Sequence, residues 1–326
     1  MSGRLFTELE LPDPDVVLDP SSGGHAAQVG HMLAKLETVL VELRPDLVVV
    51  VGDVNSTAAG ALAAAAAGIP VAHIEAGLRS FDRSMPEELN RVVVDTISDY
   101  LFASETSGVE NLQREGRPSA SIFHVGNVMI DALVRFWPRA VQRNPAAQFG
   151  ISRLYGVLTL HRPSNVDQRG ILGSLLSAIA KISRHLPIIF PMHPRTRDRI
   201  DTFGFGTALG SLRGVHVTSP LGYLDMLALM NRARLVLTDS GGVQEETTFL
   251  GVPCLTLRNT TERPATVHQG TNRIIGARPE RIPFEVQRIL DGDTPAPRCP
   301  PLWDGRAAER VAEILAGGSG VVAASG

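Results

Sequence analysis

Short apolar runs alternate along the chain with longer amphipathic or small-residue stretches. Residues 46–51, DLVVVV, form a β-branched run that predicts a strand buried on both faces. GDVNST then turns the chain, and Asn55, Ser56 or Thr57 can cap an alanine-rich helix over 57–67. Gly68 ends that helix and Pro70 opens the next strand, VAHIEAG. The resulting βαβ unit should have a right-handed crossover. DYLFAS and SIFHVGN repeat the strand signal. A second series starts near residue 151 with YGVLTL, LPIIFPM, GVHVTS, ARLVLTD and VPCLTL.

Between the two series lies VRFWPRAVQRNPAAQFGIS, with two prolines and weak periodicity. The pattern predicts an α/β chain of two doubly wound, Rossmann-like domains with a cleft between them. They are expected at 1–145 and 146–315, with a flexible tail at 316–326. A chain of 326 residues is long enough to give each domain its own core.

Composition narrows the partners. A formal net charge of -3 offers no electrostatic footprint for nucleic acid. Cys254 and Cys299 are the two cysteines, and no metal-type Cys/His spacing exists. The opening, MSGRLFTELELPDPD, is acidic and lacks the apolar region of a signal peptide. No run of about 18 apolar residues occurs, so no membrane span is expected and the chain reads as cytoplasmic.

Ligands of such folds bind beyond the carboxyl ends of the strands. At that edge HIEAGLRSFDRSMPEELNR, residues 73–91, sets four carboxylates, three arginines, a histidine and an asparagine in nineteen positions. Asp53 and Glu75 each end a strand and have no structural need that the pattern supplies. Glu87, Glu88 and Arg91 open the helix that begins near Met85. For these a structural reading competes, with the acids complementing the helix dipole and pairing with Arg91.

LVLTDSGGVQEE, residues 235–246, carries the clearest phosphate signal. A strand ends, Ser240, Gly241 and Gly242 make a tight turn, and a helix begins with free N–H groups exposed. Glu246 lies one turn into that helix, placed to accept hydrogen bonds from ribose hydroxyls; a plain left-handed turn is the alternative. His161 in HRPSN and His193 in MHPRT each follow a strand and stand near an arginine. They read as anion or sugar contacts, or as ordinary structural histidines. TTERPATVHQGTN returns Arg263 to the same region.

HIEAGLRSFDRSMPEELNR, VGDVNST, HRPSN, TDSGGVQEE and GVPCLTLRNTTERP together resemble the motifs of the non-hydrolysing UDP-N-acetylglucosamine 2-epimerases, in order and rough spacing. The resemblance runs from about residue 5 to residue 315. It implies a glycosyltransferase-B-type fold, a homodimer, no metal or nicotinamide cofactor, and interconversion of UDP-GlcNAc and UDP-ManNAc. Base abstraction at C2 and departure of UDP would give a 2-acetamidoglucal, to which UDP re-adds with the proton returned on the other face. By the resemblance Asp53, Glu75 and Glu87 are acid/base groups, and His161 contacts substrate or assists proton transfer. Ser240, Gly241 and Gly242 fall on the diphosphate, Glu246 on ribose, and Arg263 on an anion. Arg91 and His193 are further substrate contacts, and Leu221 and Met226 in PLGYLDM align with uracil contacts. A hydrolysing relative, a glycosyltransferase of similar fold and an inactive UDP-sugar-binding chain are the alternatives. The family's opening strand, GTRPE-type loop and QH-containing segment have no counterpart here, so the first domain is expected to be truncated, with an unpaired sheet edge.

Overall fold

Four short strands, β1 (Val48–Val51), β2 (Val71–Ala76), β3 (Tyr100–Ala103) and β4 (Ile122–His124), form a parallel sheet in the order β1-β2-β3-β4 in a computed structural model of the chain. It describes residues 2–18, 23–151, 154–276, 278–294, 296 and 298–317, with backbone alone for residues 2–5. The tail expected to be flexible lies outside the described residues from residue 318 on.

The first βαβ unit forms as its pattern predicts. The helix Asn55–Ala66 buries Ala58, Ala61 and Ala64. A Cβ on its Gly60 would come within 3.2 Å of the Val50 side chain, so small residues let the helix approach the strand closely. Two expectations fail. None of Asn55, Ser56 and Thr57 caps the helix, which begins at Asn55 after Val54 with no side-chain cap hydrogen bond. β1 is not buried on both faces: Val50 packs with Leu40, Ala61 and Val71, whereas Val49 and Val51 are 45% and 49% exposed. The cause is position in the sheet. β1 pairs with β2 and stands at the sheet edge, and its apolar packing lies on the Val50 face.

Six further strands make the second sheet: β5 (Gly156–Thr159), β6 (Ile188–Pro191), β7 (Val215–Thr218), β8 (Leu235–Thr238), β9 (Cys254–Thr256) and β10 (Asn272–Ile274). All pair in parallel, in the order β10-β9-β8-β5-β6-β7. β10 comes from TNRII, a segment too short and polar to signal a strand. Both faces of this sheet are buried. Val157, Ile189 and Val236 share register and enter one cluster, while Leu158 and Leu237 enter the other. Strand order reverses between β5 and β8, which places the loops after those two strands side by side.

The chain divides into two compact units. One comprises Asp13–Asp131 with the described residues from Pro301 on, and the other the first twelve residues with Ala132–Pro300. VRFWPRAVQRNPAAQFGIS contributes the end of the helix Val128–Ala140, with Pro138 in its last turn. Glu8 joins the second unit by accepting the Tyr223 N–H at 3.0 Å, which caps the helix Tyr223–Asn231. The returning C-terminal segment joins the first unit through Trp303, whose Nε1 donates to the Ser104 carbonyl at 3.0 Å. Asp131 then accepts the Ala307 and Ala308 N–H groups at the start of the helix Ala307–Leu315.

Candidate functional site

In the first unit Asp53, Glu75, Glu87 and Arg91 gather at the carboxyl ends of β1 and β2. Glu75 interrupts the pairing of β2 with β3, where the register shifts between Ile74 and Ala76. Its φ is 71°, in the left-handed region that a glutamate seldom occupies. The bulge turns the side chain back over the sheet end, and a Cβ on Gly52 would lie 3.1 Å from Glu75 Oε2. Gly52 itself has φ 70°, and the residue after it is Asp53.

Arg91 is 1% exposed and joins two acids. Its guanidinium donates to the Asp53 carboxylate and, at 2.8 Å, to Glu88. Glu88 also accepts the N–H groups of Ser80 and Phe81 at 2.9 and 3.0 Å. Burial would raise the Glu88 carboxyl, but the Ser80 N–H and Arg91 outweigh it and hold it below the usual range. Glu88 thus secures the loop over residues 80–81, while Glu87 points elsewhere. Half-buried Glu87 lines a pocket of about 520 Å³ with Asp53, Asn55, His25 and Gln28. Asn90 donates to the Asp53 carbonyl at 2.8 Å and so holds the backbone that carries Asp53.

The second unit holds the other candidates at its topological switch point. Asp239 ends β8, is fully buried, and organises the loop after β5. It accepts the backbone N–H of His161 at 3.1 Å and of Arg162 at 3.0 Å, the Asn165 amide at 3.0 Å, and His161 Nδ1 at 2.9 Å. Burial acts to raise the Asp239 carboxyl, yet His161, Asn165 and the loop N–H groups outweigh it and hold it low. The His193 ring lies 5.6 Å from that of His161, and its Nδ1 accepts the Arg195 N–H at 3.2 Å. Burial, then the neighbouring His161, pushes His193 below the usual imidazole range.

Ser240 precedes the helix Gly241–Leu250, whose first two residues are Gly241 and Gly242. The bare Gly241 admits a guanidinium rather than a side chain of its own: an added Cβ would meet Arg263 Nη1 at 2.5 Å. Arg263 is held by Glu262 at 2.6 Å and Glu245 at 2.9 Å, and Glu262 also pairs with Arg258 at 2.7 Å. Glu246 is buried on the same helix, and burial pushes its carboxyl up to about 7, partly opposed by the Tyr223 hydroxyl. Leu221 and Met226 lie half-buried on either side of Tyr223.

Of the residues singled out in the sequence, Asp53, Glu75, Glu87 and Arg91 belong to the first unit. His161, His193, Leu221, Met226, Ser240, Gly241, Gly242, Glu246 and Arg263 belong to the second. Sequence reasoning missed Asp239, which stands at the end of the ARLVLTD strand candidate without a role, and Glu88 as the loop anchor. A buried acid directly ending a strand was the available signal for Asp239.

A family model described as UDP-N-acetylglucosamine 2-epimerase matches residues 1–316. The UDP-N-acetylglucosamine 2-epimerase of Methanocaldococcus jannaschii is 44% identical over 321 residues, covering 97% of this chain and 87% of that protein. The UDP-2,3-diacetamido-2,3-dideoxy-D-glucuronate 2-epimerase of Pseudomonas aeruginosa is 41% identical over 321 residues, with the same coverage of 97% and 87%. A crystal structure of the Methanocaldococcus jannaschii UDP-GlcNAc 2-epimerase in complex with UDP-GlcNAc and UDP superimposes with a TM-score of 0.88, covering 96% of this chain and 87% of that one.

Proposed function

The chain belongs to the UDP-N-acetylglucosamine 2-epimerase family, and on that premise we propose that it interconverts UDP-GlcNAc and UDP-ManNAc by inversion at C2. A carboxylate of the first unit takes the C2 proton as the C1–O bond to UDP breaks, leaving a 2-acetamidoglucal. A carboxylic acid then returns a proton to the opposite face of C2, and the UDP oxygen re-attaches at C1. Asp53, Glu75 and Glu87 share these proton transfers, and Arg91 sets the orientation of Asp53. In the second unit Ser240, Gly241, Gly242 and Arg263 receive the diphosphate and Glu246 the ribose hydroxyls. Leu221 and Met226 flank the uracil, and His161 and His193 meet the substrate.

The observation that carries this reading is Glu75. A glutamate held at φ 71°, with its carboxylate turned against Gly52 beside Asp53, is backbone strain of the kind that gathers at functional sites. The helix start at Gly241, with Arg263 lying across it, supports the diphosphate assignment. A homodimer working in the cytoplasm belongs to the same reading. The family resemblance supports it, and among the described residues no helix is long and apolar enough to cross a membrane.

The test is product analysis from UDP-GlcNAc, with UDP-2,3-diacetamido-2,3-dideoxyglucuronate run in parallel because a relative at 41% identity is named for that sugar. UDP-ManNAc formed from UDP-GlcNAc, with no net release of UDP, is the expected result. Accumulation of free UDP and sugar would make the chain a hydrolase. Turnover of the uronate alone would move the substrate assignment.

A further inference from the structure

One buried carboxylate ties together the two backbone turns that carry Asp53 and Glu75. Asp95, 1% exposed on the helix Pro86–Ile97, accepts the Gly77 N–H at 3.0 Å and so holds the chain just beyond the Glu75 bulge. Its other oxygen lies 2.6 Å from His73 Nδ1. His73 is fully buried on β2, and its Nε2 lies 2.9 Å from the carbonyl oxygen of Gly52, the residue before Asp53. Buried Arg79 completes the group: it pairs with Asp95 at 2.7 Å and donates to the Leu78 carbonyl at 2.8 Å. Glu115 meets the same guanidinium with two bonds, at 2.8 and 2.6 Å.

Both neighbours of the His73 ring are oxygens that bring no hydrogen. The Gly52 carbonyl has none to give, and Asp95 already receives the Gly77 N–H and Arg79. Burial acts to raise the Asp95 carboxyl, but the donors from His73 and Arg79 outweigh it and keep it ionised. Each ring nitrogen of His73 faces one of these buried oxygens, so the ring spans the gap between Asp95 and Gly52. The adjacent strand positions Val71, Ala72 and Ala76 are apolar and fully buried. A hydrophobic residue at position 73 would serve the core as well as this polar ring does.

We infer that His73, bridging Asp95 and Gly52 through its two ring nitrogens, is a positioning residue that with Asp95 sets Asp53 and Glu75 relative to each other. The inference rests on the assignment of Asp53 and Glu75 to proton transfer. Misplacing a reacting group by about 1 Å can slow a reaction by about 100-fold, so loosening this tie should appear in turnover rather than in substrate binding.

The test uses the full chain and three variants: His73→Gln, Asp95→Asn and, as a core control on the same helix, Val94→Ala. Readouts are kcat and KM for UDP-GlcNAc, deuterium uptake at C2 in heavy water, and melting temperature. His73→Gln and Asp95→Asn should lose about tenfold or more in kcat and in C2 exchange, with KM within about twofold. Val94→Ala, at a comparable melting temperature, should keep its kcat. Equal kcat in all three variants at matched melting temperature overturns the positioning role. NMR of the wild-type chain with ¹⁵N-labelled histidine decides independently of how the variants fold. Both His73 ring nitrogens engaged in hydrogen bonds are expected, and a ring with an unbonded nitrogen overturns the inference. If the wild type takes up no deuterium at C2, the carboxylate assignment falls and the positioning role with it. Normal wild-type exchange with unaffected variants removes the positioning role alone.

Discussion

His161 Nδ1 stands 2.9 Å from the buried carboxylate of Asp239, across the two strands between which the order of the second sheet reverses. An aspartate at Nδ1 keeps a hydrogen there and leaves Nε2 for the proposed substrate contact. Asp239→Asn should lower turnover by about 10-fold to 100-fold, read by steady-state kinetics. It also has an acid signature. Because the folded carboxyl is held below 3.8, its contribution to stability is present above that pH and lost as pH falls through the folded value. The wild type should therefore lose more melting temperature than Asp239→Asn as pH falls below 3.8.

Glu75→Gln and Glu87→Gln should keep UDP affinity and lose about 100-fold or more in turnover. Normal turnover at saturation with weakened binding would instead make these residues positioning groups. Glu75→Gly separates chemistry from strain. A left-handed φ costs a non-glycine residue about 1–2 kcal/mol, so this variant should melt no lower than the wild type while losing activity. A marked fall in its melting temperature would show that the carboxylate is a structural tie.

Gly241→Val places a side chain where Arg263 now lies, 2.5 Å from the position of an added Cβ. UDP affinity by calorimetry should fall about tenfold or more, since both the bare backbone and the guanidinium are lost to the phosphate. The far-ultraviolet circular dichroism should be unchanged. Unaltered affinity would mean that the turn is structural.

Glu246, which burial pushes up to about 7, should make nucleotide binding depend on pH through its proposed ribose contact. Ribose hydroxyls donate better to the ionised carboxylate, so UDP affinity relative to Glu246→Gln should rise as pH goes from about 6 to 8. Taking the ratio cancels titration of the diphosphate itself. The ligand-free fold shows the opposite slope. The stability linked to the raised carboxyl is fully present below 4.5 and lost as pH rises through about 7, relative to the glutamine variant. A ratio flat with pH would mean that Glu246 does not touch the nucleotide.

Much of this arrangement can be read in the sequence because its signals are local. The run Val48–Val51, the alanine-rich helix after it and the apolar strands of the second series mark their own elements by composition. TDSGG marks a helix start by its glycines. What stays hidden depends on partners distant in sequence. The exposure of Val49 and Val51 follows from the place of β1 at a sheet edge, which no run of valines encodes. β10 is a strand because β9 offers it an edge, not because Asn272 and Arg273 favour one. The left-handed turn at Glu75 and the meeting of His73 with Asp95, 22 residues apart, arise from packing of the helix Pro86–Ile97 against β2. Division of the chain at residues 12, 131 and 300 is set by which core each segment joins.

The proposed division of labour, with carboxylates of the first unit moving the C2 proton and the second unit holding UDP, comes down to one comparison. Deuterium incorporation at C2 of UDP-GlcNAc in heavy water is measured for the wild type and for Glu75→Gln, each at saturating substrate and with UDP affinity determined alongside. The wild type should place deuterium at C2 of both UDP-GlcNAc and UDP-ManNAc, while Glu75→Gln binds UDP equally well and exchanges about 100-fold more slowly. Exchange at the wild-type rate in Glu75→Gln, with UDP affinity intact, would contradict the account.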